Sequence, residues 1–349
     1  LYSNLTGADC TAVGAYALNA NTATGNTAFG SDALRANTSG NYNVALGQNA
    51  LKVATTATQN TVAGSSAGDA VTTGSDNAMF GFQAGSALTT GSRHCFLGNN
   101  AGAQVTTSDD NTFIGNQAGY DITDGNKNVF IGSYAGSNTN SGTYLNTFIG
   151  YQAGMNNGNG QQNVGIGYNT LKENTAWDNV VIGNNSGEDN TSGTQNVFLG
   201  RNAAMNNTTG SYNIAIGYNS LDVNTTGSEN TAVGWESLSS NTTANYNTAI
   251  GYKSLRYNTT GSMSTALGYD AGREITTGSN NTMVGYRALS VSTTGDYNVA
   301  IGSEALDACT TGGRNIAIGF KALTALTTPN DITAIGYYAG EGVTTGTGH

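Results

Sequence analysis

Residues 230–246 read NTAVGWESLSSNTTANY, and residues 247–263 read NTAIGYKSLRYNTTGSM. The second string is a copy of the first, 17 residues on. Numbered from its leading Asn, the phrase carries Gly at position five. Followed outward in both directions, that Gly recurs twenty times from Gly14 to Gly336, at intervals of 17 except for three of 16, 18 and 16 residues. Position one is Asn in 16 of 20 copies, the exceptions being Cys10, His94, Ser264 and Ile332, and position four is always apolar. A second phrase, Thr-Thr-Gly, recurs near positions thirteen to fifteen, as in Thr225, Thr226 and Gly227.

Seventeen residues are too few for two α-helices with their turns, and Gly, Asn and Thr stand where helix formers would be needed. The repeat is therefore expected to be all-β, with two short extended segments and two turns per copy. Stacking each copy on the next gives a parallel β-solenoid of about 20 coils, one repetitive domain over residues 1–349. A Gly kept at one corner of every coil implies a backbone with φ > 0 or a close approach. The Asn of position one is expected to form an axial ladder, amide on amide. The array opens at Leu1 and stops at His349 inside a repeat, which suggests a slice of a longer fibre.

Composition excludes several functions. The 12 Lys+Arg and 22 Asp+Glu leave a net charge of −10, from scattered acids, so neither nucleic acid nor anionic lipid is expected as a partner. No apolar run is long enough for a membrane-spanning helix, so no membrane insertion is expected of this segment. Cys10, Cys95 and Cys309 are far apart, odd in number and without CxxC spacing, so three unpaired thiols are expected in place of a disulfide framework or zinc site.

Three columns of the repeat test the stacking. Positions three and nine vary in opposition: small with Leu, as in Ala249/Leu255 and Ala300/Leu306, or large with small, as in Phe113/Gly119 and Phe130/Gly136, in 17 of 20 copies. Conserved summed volume is what a close-packed site demands, so the two positions are expected to touch. Positions two and four then face one way and three the other, and both faces are apolar. A partner chain covering one of them would place Phe96, Phe113, Phe130 and Phe148 in an interface or dry core; a coil broad enough to bury both faces itself is the alternative.

Position seven reads Glu236, Lys253, Asp270, Arg287, Glu304, Lys321, six alternating charges expected to fix axial register as an inter-coil ladder. Position six reads Tyr218, Trp235, Tyr252, Tyr269, Tyr286. Such a column either packs on itself or forms a flat aromatic track for sugar rings or another chain.

Chemistry-bearing clusters are scarce. His94 takes the Asn position of its repeat and is expected to substitute in the ladder, while His349 is terminal. Asp109 and Asp110 follow Ser108 in a turn, without the spacing of calcium-binding solenoids, and no phosphate loop occurs. No catalytic residue, metal site or cofactor is expected, and the chain is not expected to be an enzyme. Sequons at Asn207, Asn224, Asn241 and Asn258 are candidate N-glycan sites.

Phrases such as Asn247-Thr248-Ala249-Ile250-Gly251 and Asn298-Val299-Ala300-Ile301-Gly302 resemble the head repeats of YadA-like trimeric autotransporter adhesins and are similar to repeats of phage tail-fibre proteins. The resemblance covers essentially the whole chain. It implies a left-handed parallel β-roll, three chains about an axis, that binds cell surfaces or matrix. The period departs from the family, whose heads repeat in fewer residues. The expected function is a structural and adhesive shaft of an extracellular, cell-surface or virion fibre, with itself as principal partner and surface glycan or matrix as a further one. A glycan-binding or an ice-binding β-solenoid is the alternative.

Overall fold

The computed structural model describes residues 7–140 and 142–344. The expected start at Leu1 and stop at His349 lie outside the described residues. The chain groups into two compact units, Leu1–Ala176 and Trp177–His349. The first carries ten three-residue strands, β1 (Thr11–Val13) to β10 (Val164–Ile166), and the second ten more, β11 (Val180–Ile182) to β20 (Thr333–Ile335). Within each unit every strand pairs in parallel with the next, residue on equivalent residue: Thr231 faces Thr248, Ala232 faces Ala249 and Val233 faces Ile250. One repeat is one coil of a parallel β-solenoid, and no helix occurs among the described residues.

Each coil has one strand, where the sequence had suggested two. Past the corner Gly, positions seven and nine both enter the left-handed region, as does position seventeen: Lys253 has φ 55°, Leu255 φ 49° and Met263 φ 58°. Left-handed residues two apart interrupt an extended run, so the second segment closes as a series of turns. Its backbone still bonds to the neighbouring coils, Lys253 N–H to the Trp235 carbonyl at 2.8 Å and Leu255 N–H to the Ala271 carbonyl at 3.0 Å. The polar backbone is thereby satisfied without a strand.

The corner Gly is required twice over. Gly251 has φ +138°, and a Cβ there would overlap the carbonyl oxygen of Gly268 in the next coil. At position one, the ladder uses the whole amide. Asn43 donates its backbone N–H and its Nδ2 to Oδ1 of Asn26, at 2.9 and 3.2 Å, and a further Nδ2 bond runs to the Ala57 carbonyl at 2.8 Å. These side chains are fully buried, where an unpaired amide would be costly.

Position three points inward and position nine meets it. Phe96, Phe113, Phe130 and Phe148 are fully buried and stack in sequence, with ring centroids 5.1, 4.9 and 5.2 Å apart. A Cβ added to Gly119 would lie 2.5 Å from the Phe113 ring, and one added to Gly136 would overlap Phe130. The volume exchange between positions three and nine thus occurs inside one coil. This corrects the argument for a partner chain over the Phe row: the row is core, covered by its own coil. The face left open is the outward one, of positions two and four.

Candidate functional site

Alternation along the strand turns positions two and four to the outside. Phe29 is 59% exposed, Leu46 42%, Ile250 39% and Leu267 46%. No charged residue occupies position two or four in any repeat, and position six, just past the corner, holds a single one, Arg201. Each unit therefore presents an uncharged face along all its coils. The exposed apolar row of position four, flanked by uncharged neighbours, is the kind of surface that marks interaction sites.

The position-six aromatics lie beside this face. Tyr218 stacks on Trp235 at 4.4 Å with 26° between planes, and Tyr252, Tyr269 and Tyr286 stack at 4.9 and 5.5 Å, with 12° and 21°. Ring faces are turned toward the next coil and used in stacking, so ring edges are what the column offers outward. The geometry is that of a packed pile, and a sugar seeking a ring face would have to break it.

The position-seven ladder is real at two steps and diverted between them. Lys253 lies 3.9 Å from Glu236, and Lys321 3.3 Å from Glu304. Asp270 instead pairs with Arg273 at 3.1 Å, Arg287 with Asp307 at 3.3 Å, and Glu236 also with Arg256 at 3.0 Å. Those three partners all occupy position ten, a column that sequence reading passed over. The charges form a two-column network, Asp270 pairing inside its own coil while Glu236–Arg256 and Arg287–Asp307 pair across neighbouring coils.

Two further ladders were missed. At position twelve, Asn207 donates to Asn190, Asn224 to Asn207, Asn241 to Asn224 and Asn258 to Asn241, at 2.7 to 3.2 Å. These are the sequon asparagines. Each is at most 1% exposed, and each Nδ2 is already used, so the folded chain offers no acceptor for a glycan there. At position sixteen, a backbone N–H donates to the side chain of the next coil, Ser75 to Ser92 Oγ, Ser92 to Asp109 Oδ1 and Asp109 to Asn126 Oδ1. The signal was the run of Ser, Thr, Asn and Asp in that column.

His94 replaces Asn as expected. Its Nε2 lies 2.7 Å from the Ser108 carbonyl and its Nδ1 accepts the Asn111 N–H at 3.2 Å, so the neutral ring with its proton on Nε2 reproduces both roles of the amide. Burial, with its ring stacked 4.7 Å from Phe96, pushes its pKa down to about 4. The three cysteines are free thiols, and burial pushes Cys309 up to about 11.

A concavity with titratable groups on its lining lies where the period slips. The repeat that begins at Asn128 is the one of 18 residues. In it Tyr144, the seventeenth residue, stands two before the next Asn and so takes the place of position sixteen, and the hydrogen-bonded ladder of that column stops at Asn126. Asp109, Asp110, Asn126, Lys127, Tyr144 and Leu145 line a notch of about 490 Å³ there. Arg93 grips Asp110 with Nε–Oδ1 2.6 Å and Nη2–Oδ2 3.1 Å and reaches Asp109 at 3.3 Å, which holds the Asp110 carboxyl below its ordinary range. Compared with known proteins, the chain matches no family model and no curated protein.

Proposed function

We propose that this β-solenoid is a non-catalytic structural and adhesive shaft of an extracellular or virion fibre, assembled from copies of itself through the outward face. The uncharged face of positions two, four and six carries the reading. Positions two to six span about 13 Å and a coil rises about 4.8 Å, so ten coils offer roughly 600 Å² in plan, before side-chain relief, against about 800 Å² per partner in a standard interface. A second copy has the same axial period and the same uncharged columns, so two faces match coil for coil. The resemblance to trimeric adhesin heads adds a three-chain, left-handed arrangement to this expectation.

Sedimentation of the purified chain tests the reading. Wild type should sediment as a homo-oligomer, and Ile250→Asp with Leu267→Asp should shift it to monomer while the folded dichroism persists. A wild-type chain that stays monomeric at high concentration would overturn it. One observation favours the ice-binding alternative: position fourteen keeps an exposed threonine from Thr209 through Thr226, Thr243, Thr260, Thr277 and Thr294 to Thr311. Thermal hysteresis in dilute protein would separate that reading.

A further inference from the structure

We infer that the notch beside Tyr144 is a binding site for a neutral saccharide. The inference deepens the adhesive part of the reading above, and rests on it, by naming where a glycan would sit. Elsewhere in the column many position-sixteen backbone N–H groups bond to the side chain of the next coil, as Ser75, Ser92 and Asp109 do. Here the 18-residue repeat puts an aromatic ring in that column, and the Asn126 N–H has no partner among the described residues. Tyr144 and the exposed Leu145 supply the apolar part of the lining.

The rest of the lining is polar, and with Arg93 behind it the charge is balanced. Asp109 and Asp110 bring two negative charges, Arg93 and Lys127 two positive ones, so the site has no net preference for an ion. Arg93 fixes both carboxylates, and the Lys127 ammonium makes no ion pair among the described residues. Fixed carboxylate acceptors, a carboxamide and an ammonium donor in one notch with a tyrosine ring suit the vicinal hydroxyls of a sugar and its C–H face. About 490 Å³ lies within the range of small-ligand pockets.

An array of neutral hexose and N-acetylhexosamine oligosaccharides identifies the probe, and calorimetric titration then measures it. Lys127→Ala and Tyr144→Ala should each weaken binding about tenfold, with melting curves near wild type, and Tyr297→Ala, on an exposed tyrosine far along the chain, should leave it unchanged. Lys127 is exposed, so its variant remains informative should Tyr144→Ala fold poorly. Absence of binding by every neutral oligosaccharide, equal binding by both notch variants, or binding of sulfated sugars or inorganic phosphate alone would overturn the inference. Sedimentation reports on the shaft and titration on the notch, so the two proposals fail separately.

Discussion

Exchanging Phe130 and Gly136 for Ala and Leu converts one coil from the Phe/Gly type into the Ala/Leu type used by coils such as Ala249/Leu255. Phe130→Ala alone removes a fully buried ring stacked between Phe113 and Phe148, at a cost of about 3–5 kcal/mol. Gly136→Leu alone drives a side chain into the Phe130 ring, with overpacking of about 1–3 kcal/mol or more, and adds about 1–2 kcal/mol for a left-handed Leu. Independent effects would sum to roughly 5–10 kcal/mol. In the double variant the Leu fills the space the ring vacates. What remains is the left-handed Leu and two lost stacking contacts of about 0.5–1.5 kcal/mol each, roughly 2–5 kcal/mol in all. Urea unfolding of the four proteins gives the coupling energy, expected at about 3 kcal/mol or more in favour of the pair. Additivity to within about 0.5 kcal/mol would refute contact between positions three and nine.

Gly251→Val should cost several kcal/mol, since its Cβ meets the Gly268 carbonyl; a wild-type melting temperature would contradict the corner. His94 binds its proton less readily folded, at about 4, than unfolded, near 6.5, so the unfolded chain gains protons first on acidification. Stability from this site is complete above pH ~6.5 and falls by roughly 3 kcal/mol as pH drops to ~4, a slope that His94→Asn should flatten in pH-dependent urea midpoints. Trp235→Ala with Tyr252→Ala should lower the melting temperature through lost stacking; unchanged melting with lost surface binding would restore the aromatic-track reading.

Much of this architecture was legible because an internal repeat is its own alignment. The period, the corner Gly, the Asn ladder with His94 in it, and the exchange at positions three and nine all follow from comparing the chain with itself. The left-handed turns did not, because Leu, Lys and Met at φ near 50–60° leave no mark in a sequence as Gly does. Without them a second strand was the natural expectation. The asparagines of position twelve matched a modification motif, which hid their role as a buried ladder. Tyr144 was passed over because an aromatic in a polar column, in the single lengthened repeat, has significance only once the notch around it is seen.

The left-handed residues bear on how such a chain comes to be folded. Each coil spends three of its 17 positions, seven, nine and seventeen, in a conformation that costs an L-residue about 1–2 kcal/mol wherever Gly is absent. The packing of positions three and nine within a lone coil repays little of that, since its ladders and ring-stacking partners belong to the coils above and below. A first coil is thus an unfavourable nucleus, and each later one forms on a template already in place. Propagation then outruns initiation within a unit. A chain of this kind should be slow to begin folding and slow to come apart, holding its shape by kinetics as well as by contacts.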